Sequence, residues 1–427
     1  MVGKASILLV MGFSLIFLVF GQKFVSLDND AVDNMTNYYS ETVSHDCASA
    51  GANMAANKVF LDPTWNAGFS DLSFNGGIIN TTVQNIDPFK DIIQIVSKGT
   101  YDGITHTVTV QLEPSKFSKF AYYSVNEGGT IWWTGSDTVW GPFHTQDYFR
   151  AYNHPVFIGK ATTAKRLLYY RNQRSDAPVF EGGFESGVNL PLPTDGLGPI
   201  KNDAIANGMD IKTAYDTITT GGGRRGGRGG RGGGTTIVPD TAYVTFAKDS
   251  VKIKLGSDKP ENEYLTKNIA PNGVIYVEGM DVRLKGVVKG QYTVASDGDV
   301  YLDGDIVYNK DPLTNPNSTD LLGIVAENNV WITDNSANRN DINIDAAIYA
   351  QNGGFGAENY ASRPNSGSIN LVGGITQNTR QAVGTFNLLG ISSGFAKRYK
   401  YDNRLMVSSP PSFPGTGSFE VVSWLEE

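Results

Sequence analysis

A single cysteine stands in the 427 residues, which excludes any internal disulfide. Cys47 and only four histidines, His45, His106, His144 and His154, leave zinc sites and Cys/His catalysis little to build on. Charge is scarce too. At 18% of residues, with a net charge of −8, it argues against general binding to nucleic acid or to an anionic membrane surface. Proline is missing until Pro63, and residues 5–21 (ASILLVMGFSLIFLVFG) hold neither charge nor proline, so nothing in the backbone chemistry interrupts a helix there.

What is present at the N-terminus is therefore one long predicted helix, running from about residue 4 to residue 60. Its uncharged part spans about 25 Å, close to the thickness of a bilayer's hydrocarbon core, and Leu8, Leu9, Phe13, Leu15, Ile16 and Phe17 are the expected membrane anchor. Beyond it the apolar residues thin to a stripe. Phe24, Leu27, Ala31, Met35, Tyr39, Val43, Cys47, Ala50 and Met54 recur at three- and four-residue steps between polar residues, as in an amphipathic helix that lays one face on a domain. Cys47 on that stripe reads as a small packing residue. A secretory signal cut before Gln22 is the alternative, but an unbroken helical stripe does not usually follow a cleaved signal.

A short leader ending in glycine (Met1-Val2-Gly3), an apolar segment starting at once and an amphipathic extension to Ala55 resemble the N-terminal helix of type IV pilin-like proteins, above all minor pilins and tip pseudopilins. The resemblance implies cleavage by a prepilin peptidase after Gly3, leaving Lys4 as the first residue. It also implies self-association, or association with other pilin-like subunits, through the helix. Major subunits of that family usually carry phenylalanine first and glutamate fifth, where this chain has Lys4 and Leu8. An atypical subunit at a tip or branch fits that departure.

The remainder reads as strands. Asp62-Pro63 closes the helix. Residues 77–83 and 105–112 alternate β-branched side chains, and 120–125 followed by 127–133 reads as a glycine-turned hairpin. From 136 to 190 the strands become short, end on glycine and resemble the first coils of a β-solenoid. Residues 200–215 are mildly helical. Residues 241–255 (TAYVTFAKDSVKIKL) predict a hairpin with a Lys-Asp-Ser turn. Then an apolar, any, apolar, any, glycine formula recurs, as in Val282-Arg283-Leu284-Lys285-Gly286 and Val300-Tyr301-Leu302-Asp303-Gly304, offset by 18 residues. That spacing suits one coil of a parallel β-helix, with a plain β-sandwich as the alternative. The fold class expected is thus mainly β with one long N-terminal α-helix, a small antiparallel sheet and a parallel β-helix. The expected division is 1–62 helix, 63–198 β domain, 199–268 insertion, 269–400 solenoid and 401–427 tail.

Three groups invite chemistry. Gly221 to Gly234 sets Arg224, Arg225, Arg228 and Arg231 among ten glycines, a composition that buries nothing and that could hold an extracellular polyanion. The alternative is a mobile insertion. Asp299, Asp303 and Asp305 lie close enough in sequence to bind Ca²⁺, the one cofactor the residues offer, against a reading as solvated corners. His144 and His154 suggest a metal, but no carboxylate stands at helical spacing from them. No group fixes a catalytic mechanism, so no enzyme is expected.

The blocks GSDTVWGPFHTQDYF (135–149), HPVFIGKATT (154–163) and 273–308, with the close Tyr401-Asp402-Asn403-Arg404-Leu405 and Pro410-Pro411-Ser412-Phe413-Pro414, resemble an uncharacterised bacterial envelope family that joins a pilin-like start to glycine-rich repeats. The arginine-glycine run is not part of that pattern. The expectation is a non-enzymatic envelope protein, anchored in the inner membrane or built into a filament, with its bulk outside the cytoplasm. A secreted β-helix that binds or cleaves polysaccharide and a polyanion-binding adhesin are the alternatives.

Overall fold

The computed structural model describes residues 2–87, 92–135, 137–212, 241–387 and 390–427. The chain divides into two compact units, residues 1–114 with 418–427, and residues 115–417. The division falls inside the 63–198 segment, and the last ten residues belong with the first unit.

In the first unit a single helix runs Val2–Leu61. It stops where expected: Asp62 still donates to the Lys58 carbonyl, and its carboxylate accepts from the Thr64 amide and hydroxyl, turning the chain. Strands Phe69–Phe74, Gly77–Asp87, Ile92–Tyr101 and Ile104–Lys116 follow as an antiparallel meander, and Gly415–Glu426 forms the fifth strand. Thr107 and Glu427 exchange both backbone hydrogen bonds, at 2.8 and 2.9 Å, the signature of antiparallel pairing.

The helix packs on this sheet, but only through its second half. Ala48, Ala52, Ala55 and Val59 form one core with Val83, Ile95, Val108 and Val110. The seat is close because glycine makes it so. A Cβ on Gly99 would lie 2.2 Å from the Ser44 carbonyl oxygen, and one on Gly51 would lie 2.3 Å from the Ser97 hydroxyl. Cys47 is fully buried there, and burial pushes its thiol above the ordinary range, in keeping with a packing role. The expected stripe is therefore corrected in its first part. Phe24, Leu27, Ala31, Met35 and Tyr39 are exposed, because the sheet beneath reaches only as far as Ser40.

The second unit is a large mixed sheet dominated by parallel ladders. One register row passes through ten strands, from Met209 to Ile275, Val294, Ile324, Ile348, Ile375, Tyr122, Phe143, Ala161 and Phe184. All but Phe184 are buried. Each full burial of such a side chain contributes about 1.5–3 kcal/mol, so the column is a principal source of this unit's stability. The 18-residue offset is real: Val282, Arg283 and Leu284 pair in register with Val300, Tyr301 and Leu302. The predicted hairpin also forms, with Ala247 opposite Ser250, and its first strand joins a parallel ladder beside Asp281–Val288. A plain sandwich of antiparallel sheets has no place for these rows.

One expectation fails here. Residues 120–133 are not a hairpin: Tyr122–Asn126 pairs in parallel with Asn365–Thr379 on one side and Phe143–Thr145 on the other. The early strands thereby continue the late ones in a single ladder. Two segments run back along it. After Phe184–Ser186 the chain passes under Tyr123, whose hydroxyl donates to the Leu190 carbonyl, and meets Gln351 at Gly196. It then forms the helix Gly198–Asn207 ahead of Met209. The Tyr401–Pro414 motif is the second: Arg404 pairs with Asp402 at 2.6 Å and donates to the Ser318 carbonyl, while Leu405 and Phe413 are buried.

Candidate functional site

The residues of the expected anchor lie where the helix touches nothing of its own chain. Leu8 is 71% exposed, Ile16 51% and Phe17 72%, and Leu9, Phe13 and Leu15 are comparably open. A Cβ on Gly12 or Gly21 would meet no atom within 4 Å. This is the one helix among the described residues long and apolar enough to cross a membrane. Large apolar side chains left in water forfeit what their burial would contribute, and here the chain itself supplies no cover for them. Gly3 and Lys4 both lie within the helix.

The other expected site residues are not gathered into a site. Arg224, Arg225, Arg228 and Arg231 fall outside the described residues. Asp299 accepts from the Asn329 amide at 2.7 Å and faces a shallow cavity of 370 Å³ whose other lining residues, Asn328, Asn329, Asn352, Gly353, Thr379 and Gln381, carry no carboxylate. Asp303 is taken by Arg283 and the Thr333 hydroxyl, each at 2.8 Å. Asp305 accepts from the backbone and side chain of Asn343. The proposed calcium trio is thus corrected: each carboxylate serves a separate neighbour. Among the described residues no group of three or more His, Cys, Asp or Glu could hold a metal ion.

His144 is fully buried, stacks 5.3 Å from Tyr123 and lies 2.7 Å from the Thr162 hydroxyl through Nδ1. Burial brings its pKa down to about 4, which keeps the ring neutral. His154 sits in a left-handed turn with Nδ1 2.8 Å from the Ala177 carbonyl. Both serve the local structure.

A buried polar cluster had no anticipation in the sequence. The Glu127 carboxylate accepts from Tyr122 (2.7 Å), Ser124, Trp133 (3.0 Å) and Arg380 (2.8 Å), and the Arg380 guanidinium lies 4.1 Å from the Trp133 ring. Gln377 donates to the Tyr122 hydroxyl. The ion pair is almost wholly buried, at 4% and 0% exposure. It ties residues more than 250 positions apart at the place where early and late strands pair, a structural clasp with every carboxylate oxygen engaged. The only signal in the sequence was an isolated glutamate in an aromatic segment.

No family model matches the chain, and no curated protein matches it. Among solved structures the chain is similar to the competence-associated pilin ComZ of Thermus thermophilus, at 14% identity and a TM-score of 0.32, over 90% of this chain and 97% of that one. A likeness this slight carries no argument about fold or role.

Proposed function

We propose that this chain is a non-enzymatic, pilin-like structural subunit of a bacterial envelope, held in the membrane or in a filament by its N-terminal helix and presenting a solenoid outside the cytoplasm. The observation that carries the reading is the exposed apolar run from Ile7 to Phe20 on a helix whose second half is firmly seated in the first unit. Small residues in and just after the run, Gly12, Ser14 and Gly21 among them, allow close approach by like helices. Cleavage after Gly3 is part of the proposal, since it would leave this run at the very start of the finished protein. The mass of the mature N-terminus tests it. A chain beginning at Lys4 supports pilin-type processing, Met1 reduces the proposal to a plain anchor, and Gln22 replaces it with ordinary secretion.

A further inference from the structure

A second regular feature lies on the outer face of one ladder. Parallel register sets Tyr243 beside Arg283, Arg283 beside Tyr301, Tyr301 beside Trp331 and Trp331 beside Gly356. Neighbouring strands lie about 4.8 Å apart, so the row from Tyr243 to Trp331 covers about 14 Å in nearly a straight line. Flanking residues on each strand, such as Val300 and Leu302 or Val330 and Ile332, are buried, which turns the row outward. The Arg283 guanidinium lies 5.0 Å from the Tyr301 ring. Gly356 completes the row by absence: a Cβ there would stand 2.6 Å from the Trp331 indole, which therefore occupies the space over it.

Beside Trp331 opens a shallow cavity of 420 Å³, lined also by Tyr360, Glu358, Asn359 and Ser362. That volume lies within the range of about 300–1,000 Å³ typical of small-ligand sites. Ring faces carry partial negative charge and suit the polarised C–H face of a sugar ring, while the amide, hydroxyl and carboxylate groups suit its hydroxyls. The charge balance narrows the class. Arg283 is paired with Asp303 and Arg339 with Asp334, and the described lining of the cavity holds one carboxylate, Glu358, and no base. That lining offers a polyanion no cationic partner, whereas it suits an uncharged chain.

We propose that the row Arg283–Tyr301–Trp331 and the Trp331/Tyr360 cavity bind a neutral polysaccharide chain, with the cavity holding one sugar unit and the row guiding the next. The inference does not depend on how the N-terminal helix is used. The test is calorimetric titration of the full chain in detergent with cellulose-type, starch-type, mannan-type and chitin-type hexasaccharides, alongside an acidic oligogalacturonate and a short single-stranded oligonucleotide. At least one neutral hexasaccharide should bind. Trp331→Ala should weaken it by about tenfold or more, and Tyr360→Ala by less. Trp331→Phe should keep most of the affinity with an unchanged melting curve, and Trp132→Ala, at a ring elsewhere on the unit, should bind as the parent does. The proposal is overturned if no neutral hexasaccharide binds, if only the acidic probes bind, or if Trp331→Ala and Tyr360→Ala both retain full affinity.

Discussion

Two halves of one unbroken helix are solvated in opposite ways. Residues 7–20 carry leucine, isoleucine, valine and phenylalanine and are exposed, whereas between residues 40 and 59 one face, rich in small residues such as Ser44, Cys47, Ala48, Ala52 and Ala55, is buried on the sheet. Hydropathy alone would assign burial the other way round. The difference teaches that the second half was shaped by how near a backbone can come, since Gly99 and Gly51 admit it without a Cβ in the way. Nothing of comparable fit lies over the first half, whose apolar surface suits a surrounding that the chain does not itself supply.

That contrast predicts that changes in any self-buried region will cost stability and that changes in the exposed half will not. The largest expected effect is Glu127→Ala, which strands the buried Arg380 charge and should lower the unfolding free energy of the ladder unit by about 3–5 kcal/mol in denaturant melts. Next is the acid response of His144. Its folded pKa of about 4 lies below the ordinary 6.5, so the unfolded chain binds more protons between these values. The stability contributed by the neutral ring is complete above 6.5 and is lost as pH falls toward 4, by up to about 3 kcal/mol. Asp345, buried and raised to about 6, works in the opposite direction, since its contribution is present below the ordinary 3.8 and is lost as pH rises through 6. The clean readout is therefore the difference between the parent and His144→Gln, which should shrink across that window when melts at its two ends are compared.

Gly99→Ala should come third, at about 1–3 kcal/mol, because the added methyl meets backbone rather than a yielding side chain. Phe17→Ala or Leu15→Ala should be smallest, within about 0.5 kcal/mol for unfolding of the first unit in detergent. A loss there as large as at Gly99 would mean that the first half has a partner within its own chain, and the contrast would collapse.

Much of the architecture was legible because its signals are local. The helix and its stop at Asp62-Pro63, the hairpin turning at Lys248, and the offset that sets Val282 on Val300 each follow from spacing within a few dozen residues. The union of Tyr122 with Ile375 was not legible, since parallel register between remote segments leaves no mark on either one. For the same reason Glu127–Trp133 looked like half of a hairpin, although Glu127 waits for a partner 253 residues onward. The acidic trio failed for a related cause: Asp303 and Asp305 share a strand face, but Asp303 is answered by Arg283 and Thr333 and Asp305 by Asn343. The exposed apolar stretch at the start of the helix needed no long-range information, only its composition and length.

The most direct test of the central claim is where the full chain goes when membranes from expressing cells are washed with alkaline carbonate. The account predicts that the parent stays in the membrane pellet and that the double variant Ile16→Asp/Phe17→Asp is released, because each carboxylate at mid-helix costs about 2.5–3.5 kcal/mol on insertion. Recovery of the parent in the supernatant, or retention of the double variant in the pellet, would contradict it.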